Sequence, residues 1–212
     1  MRALQDGLDV PVGLFGFSQG AWAATEAASD AIASFLVVVG CSGVSPAEQM
    51  RFHADEMLRR YGYGGREREQ AGALRLQLEQ VLRGDGNHDL LQEDLRAART
   101  EPWFPLRYLP PEAPASEVTW ADMDFDPRPS IGRVGVPAIA FWGEHEDTVP
   151  REACQQIWRD ADIEAHIVDL PGCGHWPLLG SERLGSQDWG ADDEPSPIYS
   201  RTLSTWVTQR FR

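Results

Sequence analysis

The chain has 212 residues, 42% apolar and 25% charged, enough for one sizeable core and a small subdomain. Its formal net charge of -14, with Lys and Arg nowhere clustered, argues against a nucleic-acid partner, because phosphate neutralisation needs grouped basic residues. No apolar run reaches the roughly 20 residues of a membrane span, no basic-then-apolar leader opens the chain, and Cys41, Cys154 and Cys173 are too scattered for a disulfide framework or zinc site, so the expectation is a soluble, cytoplasmic chain with reduced thiols.

The first strong element is the apolar run 10–15, ending at Gly16-Phe17-Ser18-Gln19-Gly20 and followed by the small-residue stretch 21–28. A continuous apolar run reads as a strand buried on both faces, and the small-residue stretch as a helix from Gln19 to about Ser29. Ser18 therefore stands on a tight strand-to-helix turn, where glycines two places to either side are expected to let the backbone pass. A second buried strand is predicted over 35–40.

Residues 45–133 differ in character, with charged helical patterns and no strand signal. Ser45 followed by Pro46 starts a helix that runs to the break at 61–65. A second helix is predicted over 66–83, with Leu74, Leu78, Val81 and Leu82 near helical spacing, and a third over 88–99. The Pro- and Trp-bearing stretch 101–129 reads as loop. An insertion of this size between two core strands is expected to be a cap, leaving 1–44 and 134–212 as the core.

Strands are predicted again over 136–142 and 165–170, joined by a helix over 151–160, and a last helix covers 197–210. The alternation of strands and helices predicts an α/β fold with a mostly parallel sheet and crossover helices. The acidic stretch 188–194 reads as a solvated loop.

A serine hydroxyl is a poor nucleophile until a neighbouring base takes its proton, so Ser18 calls for a histidine and an orienting acid. His175, in Gly172-Cys173-Gly174-His175 directly after the fourth strand, is the candidate base. Glu144, Glu146 and Asp147 follow the third strand, on a loop that ends in Val149-Pro150. His145 shares that loop and reads as a rim residue, while His53, His88 and His166 read as structural or exposed. The cap aromatics Trp103, Phe104 and Trp120 read first as cap core. Asp122, Asp124 and Asp126 lack the glycine and glutamate of a calcium loop and read as solvated or capping residues, with no metal required.

Gly-x-Ser-x-Gly, the Gly-to-Val-Pro acid loop and Gly-x-Gly-His, in that order, resemble the α/β-hydrolase fold superfamily. The helical cap with Pro102-Trp103-Phe104 and the pair Asp126-Pro127 look most like its serine esterases and prolyl-oligopeptidase-like hydrolases. The resemblance implies Ser18 as nucleophile, His175 as base, the Gln19 amide as one oxyanion-hole donor, and an acid three residues after the loop glycine. That position is Glu146; side-chain type favours its neighbour Asp147, towards which the reading leans. No cofactor is implied.

The implied function is hydrolysis of a carboxylic ester, thioester or amide of a small to medium substrate; the alternative is a non-catalytic ligand-binding relative. Members of the superfamily carry several elements before the serine turn, among them the loop that supplies a second oxyanion donor. Only 15 residues precede Gly16 here. The expectation is a fragment or a shortened form whose first strand has an unpaired flank, with marginal stability and a route to homo-oligomers through that edge.

Overall fold

The computed structural model describes residues 10–30, 33–180 and 194–211. The N-terminal residues before Val10 and most of the acidic loop expected at 188–194 lie outside them. Two compact units divide the chain: Met1–Val44 with Asp126–Arg212, and Ser45–Phe125.

The first unit holds four strands, β1 (Gly13–Phe17), β2 (Phe35–Val39), β3 (Ala138–Gly143) and β4 (Ala165–Leu170), side by side in chain order and all parallel. Parallel neighbours require crossovers, and these contain helix α1 (Gln19–Ser29) between β1 and β2 and the helix Arg151–Asp160 between β3 and β4. Alternate residues of the central strands build two cores. Leu36, Val38, Ala138, Ala140 and Trp142 pack with Ala21, Ala24 and Ala28 of α1 and with Cys154 and Trp158, whereas Val37, Val39, Ile139 and Phe141 pack with Trp206 of the C-terminal helix Pro197–Arg210. Both faces are covered, which is why β2 and β3 read as unbroken apolar runs.

β1 starts three residues later than its apolar run and continues to Phe17, because the register with β2 runs from Gly13 opposite Phe35 to Phe17 opposite Val39. Pro11 has no N–H to give to a ladder. Among the described residues β1 pairs only with β2, and Phe15 is 60% exposed.

The second unit contains helices α2 (Pro46–Arg60), α3 (Gly65–Leu82) and α4 (His88–Ala98), then a 3₁₀ turn, Phe104–Arg107, inside the stretch expected to be loop. A capping box starts α2: Ser45 Oγ accepts the Glu48 N–H, and the Glu48 carboxylate accepts the Ser45 N–H. Asn87 caps α4 by accepting the Leu90 N–H at 3.0 Å. Leu58, Leu74, Leu78, Leu91, Leu95, Trp103 and Phe104 form this unit's apolar core. A short helix α5 (Arg128–Gly132) follows in the first unit, and Ile131 and Val134 join the sheet core. With α5 counted, Arg151–Asp160 is α6 and Pro197–Arg210 is α7. No described helix is long and apolar enough to cross a membrane.

Candidate active site

Ser18 occupies the turn between β1 and α1 with φ 50 and ψ -123, a conformation L-residues rarely adopt. Its N–H donates to Val39 O at 2.9 Å and its carbonyl accepts the Ala21 N–H at 2.9 Å, so the strained turn is tied to the end of β2 and to the first turn of the helix. Gly16 is needed for space: a Cβ there would lie 2.6 Å from Ala21 Cα. Gly20 is not, since a Cβ would meet nothing within 4 Å. The expectation that both glycines relieve crowding holds for the first alone, because Gly20 already lies on the helix, pointing away from the sheet's contacts. Gln19 is the first residue of α1, where backbone N–H groups have no intrahelical acceptor.

His175 follows β4 and reaches Ser18: its Nε2 lies 2.8 Å from Ser18 Oγ. Its Nδ1 lies 2.8 Å from Glu146 Oε1 and 3.1 Å from Oε2. The structure thus brings Glu146 to the imidazole. Glu146 Oε1 also accepts the N–H groups of Thr148 and Val149, at 2.9 and 3.2 Å, so the loop curls around this carboxylate. Asp147 Oδ1 accepts the Thr148 hydroxyl at 3.1 Å. The Glu146 side chain is 1% exposed and that of His175 10%. A carboxylate only accepts, so with Glu146 ionised the Nδ1–H donates to it and Nε2 is left to accept from the Ser18 hydroxyl. Such a line can carry a proton from the serine to the imidazole as the oxygen attacks an electrophile.

The acid loop and the histidine loop are pinned to each other. His145 N–H donates to Cys173 O at 2.9 Å, and Gly172 N–H donates to Glu144 Oε2 at 3.0 Å. At Gly143 a Cβ would sit 1.9 Å from Gly174 O, so only glycine lets the two loops approach this closely.

Three contributors went unmarked in the sequence reading. Gly40, at the end of β2, has φ +58, and a Cβ there would lie 2.7 Å from His175 Cε1. The available signal was a glycine ending an apolar strand run, a mark of close approach. Phe17 has its ring 5.2 Å from the imidazole and stacked on Trp176 at 4.0 Å. The Trp176 ring meets the imidazole edge-on at 6.4 Å.

The remaining candidates lie elsewhere. The His145 side chain is half exposed, with Nε2 3.8 Å from Glu144 Oε2. His53 stacks with Tyr108, and His88 Nε2 is 2.9 Å from Pro114 O. His166 sits on β4 opposite Ile139. Asp124 and Asp126 bind Arg83 and Arg128. Trp103 and Phe104 are buried in the second unit, and the Trp120 ring receives the Arg75 guanidinium at 5.8 Å. Cys154 lies under the acid loop, accepting the Gly43 N–H at 3.2 Å; burial, with the Glu146 charge adding to it, pushes its thiol up to about 11.

The model of the alpha/beta hydrolase family matches residues 1–184. Among solved structures, VinJ is 18% identical with a TM-score of 0.52, the match covering 98% of this chain and 69% of that one. A thermophilic esterase from Thermogutta terrifontis (malate bound) is 17% identical, TM-score 0.47, over 98% of this chain and 68% of that one. MenH from S. aureus is 16% identical, TM-score 0.48, over 98% and 72%. At such identities the likeness concerns the fold alone. No curated protein matches this sequence. With the family match spanning most of its length and a parallel sheet interleaved with helices in agreement, the chain belongs to the alpha/beta hydrolase family.

Proposed function

We propose that this chain is a serine hydrolase that cleaves a carboxylic ester, thioester or amide through an acyl-enzyme. The unbroken line from Ser18 Oγ through His175 to Glu146, with 2.8 Å at each junction, carries this reading. Ser18 Oγ attacks the carbonyl carbon while its proton passes to His175 Nε2. The imidazolium is held by Glu146, and the tetrahedral oxyanion is met by the Gln19 N–H. Collapse expels the alcohol, thiol or amine, which takes the proton from His175. Water, deprotonated by the same imidazole, then attacks the acyl carbon, and the acid leaves as Ser18 recovers its proton.

Glutamate suits the orienting role, which asks only for a carboxylate that fixes the tautomer and balances the imidazolium. We read the helical unit, Ser45–Phe125, which stops short of the expected 45–133 because Ile131 and Val134 join the sheet core, as the cap that selects a small to medium substrate by shape.

A fluorophosphonate probe tests the reading, since it reports an activated serine without needing the substrate. Labelling of the wild type and not of Ser18→Ala is the expected result, followed by turnover of p-nitrophenyl esters or aminoacyl-arylamides. Well-folded wild type that resists the probe would instead favour a ligand-binding relative without turnover.

A further inference from the structure

Helix α7 meets β4 along an open cleft of about 320 Å³ in the first unit, lined by His166, Arg201, Thr202, Thr205, Trp206 and Gln209. His166 is the second residue of β4, and strand alternation puts it on the face of Val168 and Leu170, which pack with Trp206. Residues 201, 205 and 209 follow one another at helical spacing along one face of α7. None of the six belongs to the site of Ser18, His175 and Glu146.

The chain carries a net charge of -14, yet this cleft is lined by a guanidinium and an imidazole and by no carboxylate. Glu164, on the same face of the chain two residues before His166, is paired with Arg210, whose guanidinium lies over the Trp206 ring at 5.0 Å. Arg201 donates its Nε–H to Pro197 O at 3.1 Å, and its two Nη groups have no ion pair or hydrogen bond among the described residues. The side chains of His166, Thr202, Thr205 and Gln209 are likewise without a hydrogen bond among the described residues. Trp206 is 8% exposed, and its Nε1–H has no acceptor.

Every polar side chain of the cleft can donate a hydrogen bond, and Arg201 alone offers two Nη groups in a planar fork. Together they outnumber what the two oxygens of a carboxylate can take, whereas a phosphate group presents three strong acceptor oxygens and more charge. The volume exceeds that of the phosphate group itself and lies at the small end of ligand sites, which leaves room for an organic remainder. We propose that the cleft between β4 and α7 binds a small organic phosphate monoester, with Arg201 as its anchor.

The probe is phenyl phosphate, titrated into the ¹⁵N-labelled full chain while the indole N–H resonance of Trp206, assigned by its loss in Trp206→Phe, is followed. The expected result is a saturable shift in the wild type and in Ser18→Ala alike. Arg201→Gln should weaken binding about tenfold, the worth of a hydrogen bond to a charged group. Arg96→Gln, which removes the same charge from the helical unit, should leave the affinity unchanged. If Arg201→Gln does not fold, Thr205→Val, which keeps the shape and loses the hydroxyl, should weaken binding about fivefold. Benzoate, with the same ring and a carboxylate, should bind about tenfold more weakly than phenyl phosphate. A shift that does not saturate, one that vanishes in Ser18→Ala, an equal loss in Arg96→Gln, undiminished affinity in Arg201→Gln or Thr205→Val, or benzoate as tight as phenyl phosphate overturns the proposal.

Discussion

Glu146 Oε1 stands 2.8 Å from His175 Nδ1 and at the same time accepts two backbone N–H groups of its own loop, from Thr148 and Val149. The carboxylate is held from both sides before any substrate arrives, which is the pre-organisation an imidazole needs if it is to keep one tautomer. Glu146→Gln keeps the shape but exchanges an acceptor for an amide, and should lower kcat roughly 10⁴-fold where the acid sets the tautomer. Asp147→Asn should change kcat little, because that side chain faces Thr148. Single-turnover kinetics on the two variants separate them; the opposite ranking would return the role to Asp147.

Gly40 bears on the same imidazole from β2. An alanine methyl there would arrive 2.7 Å from Cε1, at a φ that also disfavours any L side chain. Gly40→Ala should push the ring off Ser18 and cost about 10²-fold in kcat, the scale of a 1 Å misplacement, with KM little altered. A variant that keeps full kcat would show that the ring has room to move.

The two glycines of the serine turn should behave oppositely. Gly16→Ala drives a methyl into the α1 backbone and should destabilise by about 1–3 kcal/mol, the usual cost of overpacking. Gly20→Ala meets open space on a helix and should be neutral or stabilise by up to about 1 kcal/mol. Urea unfolding midpoints of the two variants measure this, and equal destabilisation would refute the steric distinction.

The buried thiols set an alkaline limit on stability. Burial raises the pKa of Cys41 and brings Cys154 to about 11, and it also raises Tyr199. Above the ordinary thiol value of 9.0 the unfolded chain loses protons that the folded chain keeps. Stability is therefore complete below that pH and falls as pH rises towards 11, by on the order of 2 kcal/mol from Cys154 alone. Urea midpoints across this window check it. Iodoacetamide at pH 8 should leave Cys41 and Cys154 unmodified until the protein is unfolded.

Much of the architecture was legible in the sequence because its signals are local. Helix starts at Pro46, Arg151 and Pro197 follow from capping and periodicity, and β2 and β3 from apolar runs that both faces of a parallel sheet demand. Ser18 and His175 could be named for the same reason, since a glycine-flanked serine between strand and helix, and a glycine-flanked histidine after a strand, are contiguous patterns.

What those patterns could not decide depends on contacts far apart in the chain. Glu146 and Asp147 are adjacent and chemically alike; the direction of a loop, set where it meets a histidine 29 residues away, chose between them. Gly40 looked like any glycine after a strand until folding laid an imidazole over it. By itself the sequence determined the serine turn, its histidine and the alternation of strands and helices. The tertiary structure alone decided which carboxylate and which glycine lie against the imidazole, because side-chain direction and burial are properties of packing.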